Sequence, residues 1–419
     1  MKFNRRQFLA KAAALFGLMT PPYLIGNTMA TKKHIRQFGK QFDYLIDPEL
    51  RKKEIGSQLQ VIENAGFYDI QFETEWSNTN FVNCQFVGGY QISLDRLVNC
   101  RFIDCEFEGI IGWGEQLNVQ FLRCKTYGVS NIIGNRRSKN VVHDECEFIG
   151  KGDDKNHYGF IGNYGEVTFN KCKGSWYAVI GGKKLTLNNC NFMGLQISTD
   201  SFANSGSKFE KSDVVLNQCR LFGLTDMITA DFASFTMLDT AYESIDLTEA
   251  TFTGDFHMEQ CQGGNTKIIV KGGAQNFTIK NCRMQSNGKE KFRFFVGCSA
   301  QNAVIDGLKI VNTNEEAEMQ LGAKGGKEII NGVEKIYPPR LVKKITIANT
   351  NIGRFNFEYS AANYFLIKNC EFDSANFRKS RYNKLEIINT RISRQIDLPT
   401  PKWMNKTSNS LLASKIVLS

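Results

Sequence analysis

Leu185-Thr186-Leu187-Asn188-Asn189-Cys190-Asn191-Phe192 is the stretch on which the fold turns. Leu185 and Leu187 alternate with polar neighbours, the two-residue period of a strand with one buried face. Asn189 tolerates the left-handed backbone of a tight bend, and Phe192 resumes the apolar pattern beyond it. The core of this pattern, a hydrophobic residue, two spacers and then Cys or Thr, returns fourteen times, anchored at Cys84, Cys100, Cys124, Cys146, Cys172, Cys190, Cys219, Thr240, Cys261, Cys282, Thr313, Thr350, Cys370 and Thr390. The steps run from 16 to 37 residues and gather near 20 where no loop intervenes. Such a period marks a solenoid of stacked units.

Each unit reads as strand, bend and second strand. Asn precedes the anchor in eight copies, and the second position after the anchor is apolar in ten. A third short strand closes the coil in the first half, at Ile110-Ile111-Gly112, Ile132-Ile133-Gly134, Phe160-Ile161-Gly162 and Val179-Ile180-Gly181. Stacking such coils pairs every strand with neighbours above and below and leaves edges only at the ends. The fold class expected is all-β, a parallel β-helix solenoid of about 14 coils. The hydrophobic residue three before each anchor faces inward, so Leu187, Leu216, Ile279 and Ile367 form one buried column.

Over about residues 80 to 398 this pattern resembles the right-handed parallel β-helix of the pectin-lyase-like proteins. Phe81/Phe86, Phe102/Phe107 and Phe372/Phe377 also resemble pentapeptide-repeat coils. At the amino terminus, Arg5-Arg6-Gln7-Phe8-Leu9 with the apolar run Ala12 to Met19 and the exit Thr28-Met29-Ala30 resembles a twin-arginine export signal. Asn4 stands where that signal usually has Ser or Thr. The resemblance implies export by the twin-arginine translocase and a periplasmic or secreted protein. The expected division is a signal at 1–30, an amino-terminal cap at 31–78 with a helical piece from Asp47 to Asn64, the β-helix at 79–398, and a carboxy-terminal cap or tail at 399–419. Long steps mark insertions at 195–213, 285–303 and 314–341.

Of twelve cysteines, ten occupy anchors that elsewhere accept Thr. That interchange points to a ladder of small buried side chains with free thiols, not to a disulfide framework. No Cys or His spacing suits zinc, so neither a metal nor a cofactor is expected. The formal charge is +10; the signal carries Lys2, Arg5, Arg6 and Lys11 and no acid, leaving about +6 (10 − 4). That mild excess suits an acidic polysaccharide or an anionic envelope surface. No nucleic-acid module is present, and no apolar run after the signal is long enough to span a bilayer.

Two groups of residues are candidates for function. Asp153, Asp154 and His157 lie in Gly152-Asp153-Asp154-Lys155-Asn156-His157, whose Gly152-Asp153-Asp154 resembles the Gly-Asp-Asp of galacturonases; the other motifs of those enzymes are absent, the resemblance stops at the two carboxylates, and a solvated polar turn is the plainer reading. The turns after the Ile-Gly strands offer Trp113, Arg136, Arg137, Tyr164, Trp176, Lys183 and Lys184. Aromatic faces beside cations suit sugar rings that carry carboxylates, while the same residues also serve to fill turns and keep an edge soluble. Three readings stay open: a non-catalytic exported β-helix binding an acidic polysaccharide, envelope polymer or protein partner; a polysaccharide lyase or glycoside hydrolase; and a structural rod for assembly or host contact.

Overall fold

A computed structural model describes residues 60–68, 75–88, 94–133, 137–149, 159–174, 178–197, 211–226, 231–247, 251–272, 275–285, 293–296, 300–311, 316–322, 326–330, 333–337, 341–397 and 416–418. These residues are strands and the bends between them, and apart from one hairpin the strands pair in parallel as a β-solenoid. Among the described residues, complete turns number about ten, where the sequence pattern gives about 14. The chain divides into two compact units, residues 1–184 with 198–210, and residues 185–197 with 211–419.

In the first unit, in-register pairing stacks Ile62, Phe81, Phe102, Phe121, His143 and Phe169 in one inward column. Parallel strands lie about 4.8 Å apart, so identical side chains fall face to face. Ring centroids are 4.8 Å apart for Phe81–Phe102, 4.9 Å for Phe102–Phe121, 4.4 Å for Phe121–His143 and 4.7 Å for His143–Phe169. His143, buried at 1% exposure, thus takes the place of a phenyl ring in the core. A second ladder runs through Phe67, Phe86 and Phe107.

In the second unit the corresponding column holds Leu216, Met237, Met258, Ile279, Ile305, Ile347, Ile367 and Ile387 in unbroken register. Leu187, Leu216, Ile279 and Ile367 are all fully buried, as the alternation requires.

The bend that ends each of these strands explains the anchors. The residue before the anchor is left-handed at every coil: Asn64, Asn83, Asp104, Arg123, Glu145 and Lys171 in the first unit, and Asn189, Gln218, Asp239, Gln260, Asn281, Gly307, Asn349, Asn369 and Asn389 in the second, with φ from 43° to 69°. Where the anchor is Cys or Thr, its γ atom then donates to nearby carbonyls. Cys84 Sγ–H reaches Val82 O and Ile62 O, each at 3.4 Å; Thr240 Oγ1–H reaches Leu238 O at 2.8 Å and Thr350 Oγ1–H reaches Ala348 O at 2.8 Å. Cys and Thr interchange because both are small and carry a γ donor. All eleven described cysteines are free and buried. Burial pushes the Cys124 thiol well up and that of Cys370 to about 11, which keeps both protonated.

Two anchors assigned from sequence are corrected. Cys105, not Cys100, follows Cys84 in the column. Cys100 lies at a second corner of the coil, where Asn78, Asn99, Asn118 and Asn140 are also left-handed and each later amide donates to the one before it at 3.0–3.1 Å. Leu308, not Thr313, is the anchor between Cys282 and Thr350. Gly307 takes the bend there at φ +69°, and a Cβ on it would meet Asn281 Oδ1 at 2.5 Å.

The ladder also begins before 79. Gln60–Glu63 is a strand paired with Thr79–Val82, so the expected helix does not extend to Asn64; residues 47–59 lie outside the described residues. At the other end, Ile416–Leu418 pairs in parallel with residues 390–392 and continues the ladder past the expected tail boundary. Within the 314–341 insertion, Glu316–Leu321 joins the solenoid, and Gly326–Ile330 with Val333–Tyr337 forms an antiparallel hairpin.

Candidate functional site

The turn residues read from the sequence are described only in part. Trp113 and Tyr164 lie in the strands Glu106–Leu122 and Gly159–Asn170. Arg137 is exposed in a turn, and Lys183 and Lys184 are exposed neighbours in Ala178–Asn188. Arg136, Trp176, Asp153, Asp154, His157, Arg5 and Arg6 lie outside the described residues. Among the described residues, therefore, the expected site is represented by Trp113, Arg137, Tyr164 and the adjacent pair Lys183 and Lys184.

Register reveals a different surface. The residues immediately before and after each anchor stack into two files beside the corner, exposed or half-exposed at most coils, with Gln85 and Glu106 buried. In the first unit these files read Asp104-Cys105-Glu106, Arg123-Cys124-Lys125, Glu145-Cys146-Glu147 and Lys171-Cys172-Lys173, with Glu106, Lys125, Glu147 and Lys173 in direct register. Charge alternates in sign over these four coils. Arg123 holds Asp104 through Nε and Nη2 at 2.7 and 2.8 Å, and Lys171 Nζ lies 3.2 Å from Glu145 Oε1. Strands 4.8 Å apart would make stacked like charges repel, so alternation is the arrangement that closes these files on themselves.

The same file in the second unit is built otherwise. It reads Asn191, Arg220, Ala241, Gln262, Arg283, Lys309, Asn351, Glu371 and Arg391, each exposed and in register with the next. Glu371 is taken up inside the file: Arg391 Nη1 lies 3.8 Å away and Asn351 Nδ2 donates to it at 3.4 Å. From Asn191 to Asn351 there are three cations and no acid. Arg283 and Lys309 stand on adjacent strands, and neither they nor Arg220 have an ion-pair partner among the described residues. The corner file alongside holds Gln218, Asp239, Gln260, Asn281 and Gly307, one acid among amides.

Sequence reasoning missed Arg220, Arg283 and Lys309. Reading the position after each anchor down the copies would have found the first two, while Lys309 also required the Leu308 anchor. An outward imidazole lies on the neighbouring strand face, where His257 Nε2 is 3.0 Å from Glu259 Oε2 and register places Thr236 and Thr278 on either side of His257. Among the described residues, no group of three or more His, Cys, Asp or Glu side chains is arranged to hold a metal ion. Compared with known protein families, curated proteins and solved structures, the chain matches none.

Proposed function

We propose that the chain is an exported, non-catalytic β-helix that holds an acidic polysaccharide or similar anionic envelope polymer against the outward file of its second unit. The observation that carries this reading is the acid-free run from Asn191 to Asn351 with the unpaired cations Arg220, Arg283 and Lys309. Guanidinium groups pair carboxylates and sulfates through two parallel hydrogen bonds, and flanking amides supply further donors and acceptors for hydroxyls. A file of side chains repeating along the solenoid suits a ligand that itself repeats, so weak contacts add along one polymer. The self-neutralised files of the first unit leave no such excess.

Export rests on the resemblance of the amino terminus, with Arg5 and Arg6, to a twin-arginine signal, and implies a periplasmic or secreted location. The resemblance to pectin-lyase-like proteins, with pentapeptide-like coils at Phe81/Phe86 and Phe372/Phe377, agrees with a carbohydrate ligand. Incubating the mature protein with pectate, alginate, a sulfated glycan and a neutral glucan, and following protein retention and polymer size together, tests the reading. Retention on the acidic polymers with their length unchanged is expected; equal retention on the neutral glucan would defeat it.

A second reading, cleavage of the polymer by a lyase or hydrolase, draws on the His257–Glu259 pair, in which a carboxylate orients a half-buried imidazole suited to proton transfer. Falling polymer length that is abolished by His257→Gln would favour it.

A further inference from the structure

The structure assigns to the first coils of the second unit a stacking subsite for one anionic sugar ring, a proposal that rests on the polymer-binding reading above and refines it. Two successive coils repeat one pattern: Asn191-Phe192-Met193-Gly194-Leu195 and Arg220-Leu221-Phe222-Gly223-Leu224. Strand alternation buries Phe192 and Leu221 and turns Met193 and Phe222 outward, where they are 53% and 48% exposed. Met193 and Phe222 are register partners, as are Asn191 and Arg220 two residues earlier on the same face. Isolated apolar side chains at the surface are ordinary. Here, two lie side by side beside a cation that has no ion-pair partner among the described residues.

The backbone at this place is built to hold them outward. Pairing between the two strands shifts register between Met193 and Leu195, and pairing to the next strand shifts between Leu221 and Leu224. Gly223 sits in the bulge at φ +71°, a conformation that side chains rarely adopt. Its N–H donates to Glu243 Oε2 at 2.8 Å. Bulges re-aim side chains and recur beside functional sites.

The chemistry of the patch is that of a sugar-ring site. The face of Phe222 and the thioether of Met193 offer an apolar floor for the C–H face of a pyranose. Arg220 offers paired N–H donors to a carboxylate or sulfate on the ring. Glu243 has one oxygen committed to Gly223 N–H and a second available to accept from a ring hydroxyl. Arg220 belongs both to this patch and to the cationic file, so a polymer seated here continues toward Arg283 and Lys309.

The test is equilibrium binding of a short galacturonate oligomer to the mature protein and to Phe222→Ala, Phe222→Tyr and Arg283→Glu, with thermal unfolding run on each to verify the fold. Loss of an exposed stacking contact weakens binding by up to about tenfold. Phe222→Ala is expected to bind more weakly by that order, Phe222→Tyr to bind as the parent does, and Arg283→Glu to bind more weakly without touching the ring floor. Unchanged binding by Phe222→Ala, with Arg283→Glu impaired, would overturn the subsite and leave the cationic file standing. A parent protein that does not hold the oligomer at low salt would overturn both.

Discussion

Arg123 spans one coil to grip Asp104, its Nε 2.7 Å from Oδ1 and its Nη2 2.8 Å from Oδ2. Both residues occupy the left-handed corner, at φ 53°, where seven of the fifteen described coils place Asn. Asp is tolerated in that backbone and Arg is not, and the bidentate pair offsets the strain at Arg123. Asp104→Lys would stack a cation on Arg123 and is expected to lower stability by about 0.5–1 kcal/mol. The exchange Asp104→Arg with Arg123→Asp keeps the pair, and its urea midpoint should fall closer to that of the parent than the midpoint of either single change.

The same pair gives a pH signature. The Arg123 guanidinium holds the Asp104 carboxyl below its ordinary range. A carboxyl depressed on folding adds stability that is complete at neutral pH and disappears as the pH falls through its folded value. The stability gap between the parent and Asp104→Asn should therefore be widest at neutral pH and close in acid. Tyr364 in the second unit behaves in the opposite direction: donation to Glu386 raises its phenol to about 12. Stability from that bond is lost as the pH rises through about 12 and, because Tyr364 also helps hold the Glu386 carboxyl low, as the pH falls through that carboxyl, so the gap between Tyr364→Phe and the parent should be widest between the two.

Corner geometry itself is open to test. Gln260 sits at φ 56° with a side chain poorly suited to that region. Gln260→Asn is expected to raise stability by about 0.5–1 kcal/mol through relief of strain, read as a higher unfolding temperature. A lower unfolding temperature would mean that the amide of Gln260 contributes more than the bend costs.

Inward columns predict a larger effect. Leu216 is fully buried above and below its register neighbours. Leu216→Ala should cost about 2–5 kcal/mol by leaving a cavity, whereas Val215→Ala, on the outward side of the same strand, should cost well under half as much. Equal losses at the two positions would contradict the assigned faces.

How far the sequence carried the fold can be traced residue by residue. The period, the bend and the inward column were legible because parallel stacking repeats one local pattern, and Leu187, Leu216, Ile279 and Ile367 follow from it. Cys100 was misplaced because both corners use the same chemistry: Val98-Asn99-Cys100 and Val82-Asn83-Cys84 read alike, and Asn99 and Asn83 are both left-handed. Leu308 was missed because Gly307 supplies the bend that Asn supplies elsewhere. The outward files were harder still. Arg283 and Lys309 are 26 positions apart in the chain and become neighbours only once the intervening segment is set aside and the register fixed. The candidate surface is thus a property of pairing, which no local motif announces.

The contrast between the two units offers the most direct test of the account. Retention on immobilised pectate across a salt gradient should be compared for the parent, for Arg283→Glu with Lys309→Glu, and, at equal change of net charge, for Lys125→Glu with Lys173→Glu in the alternating files of the first unit. The account predicts that the second-unit variant elutes at much lower salt while the first-unit variant elutes close to the parent. Equal shifts for the two variants would show that net charge alone governs retention and would contradict a binding file in the second unit.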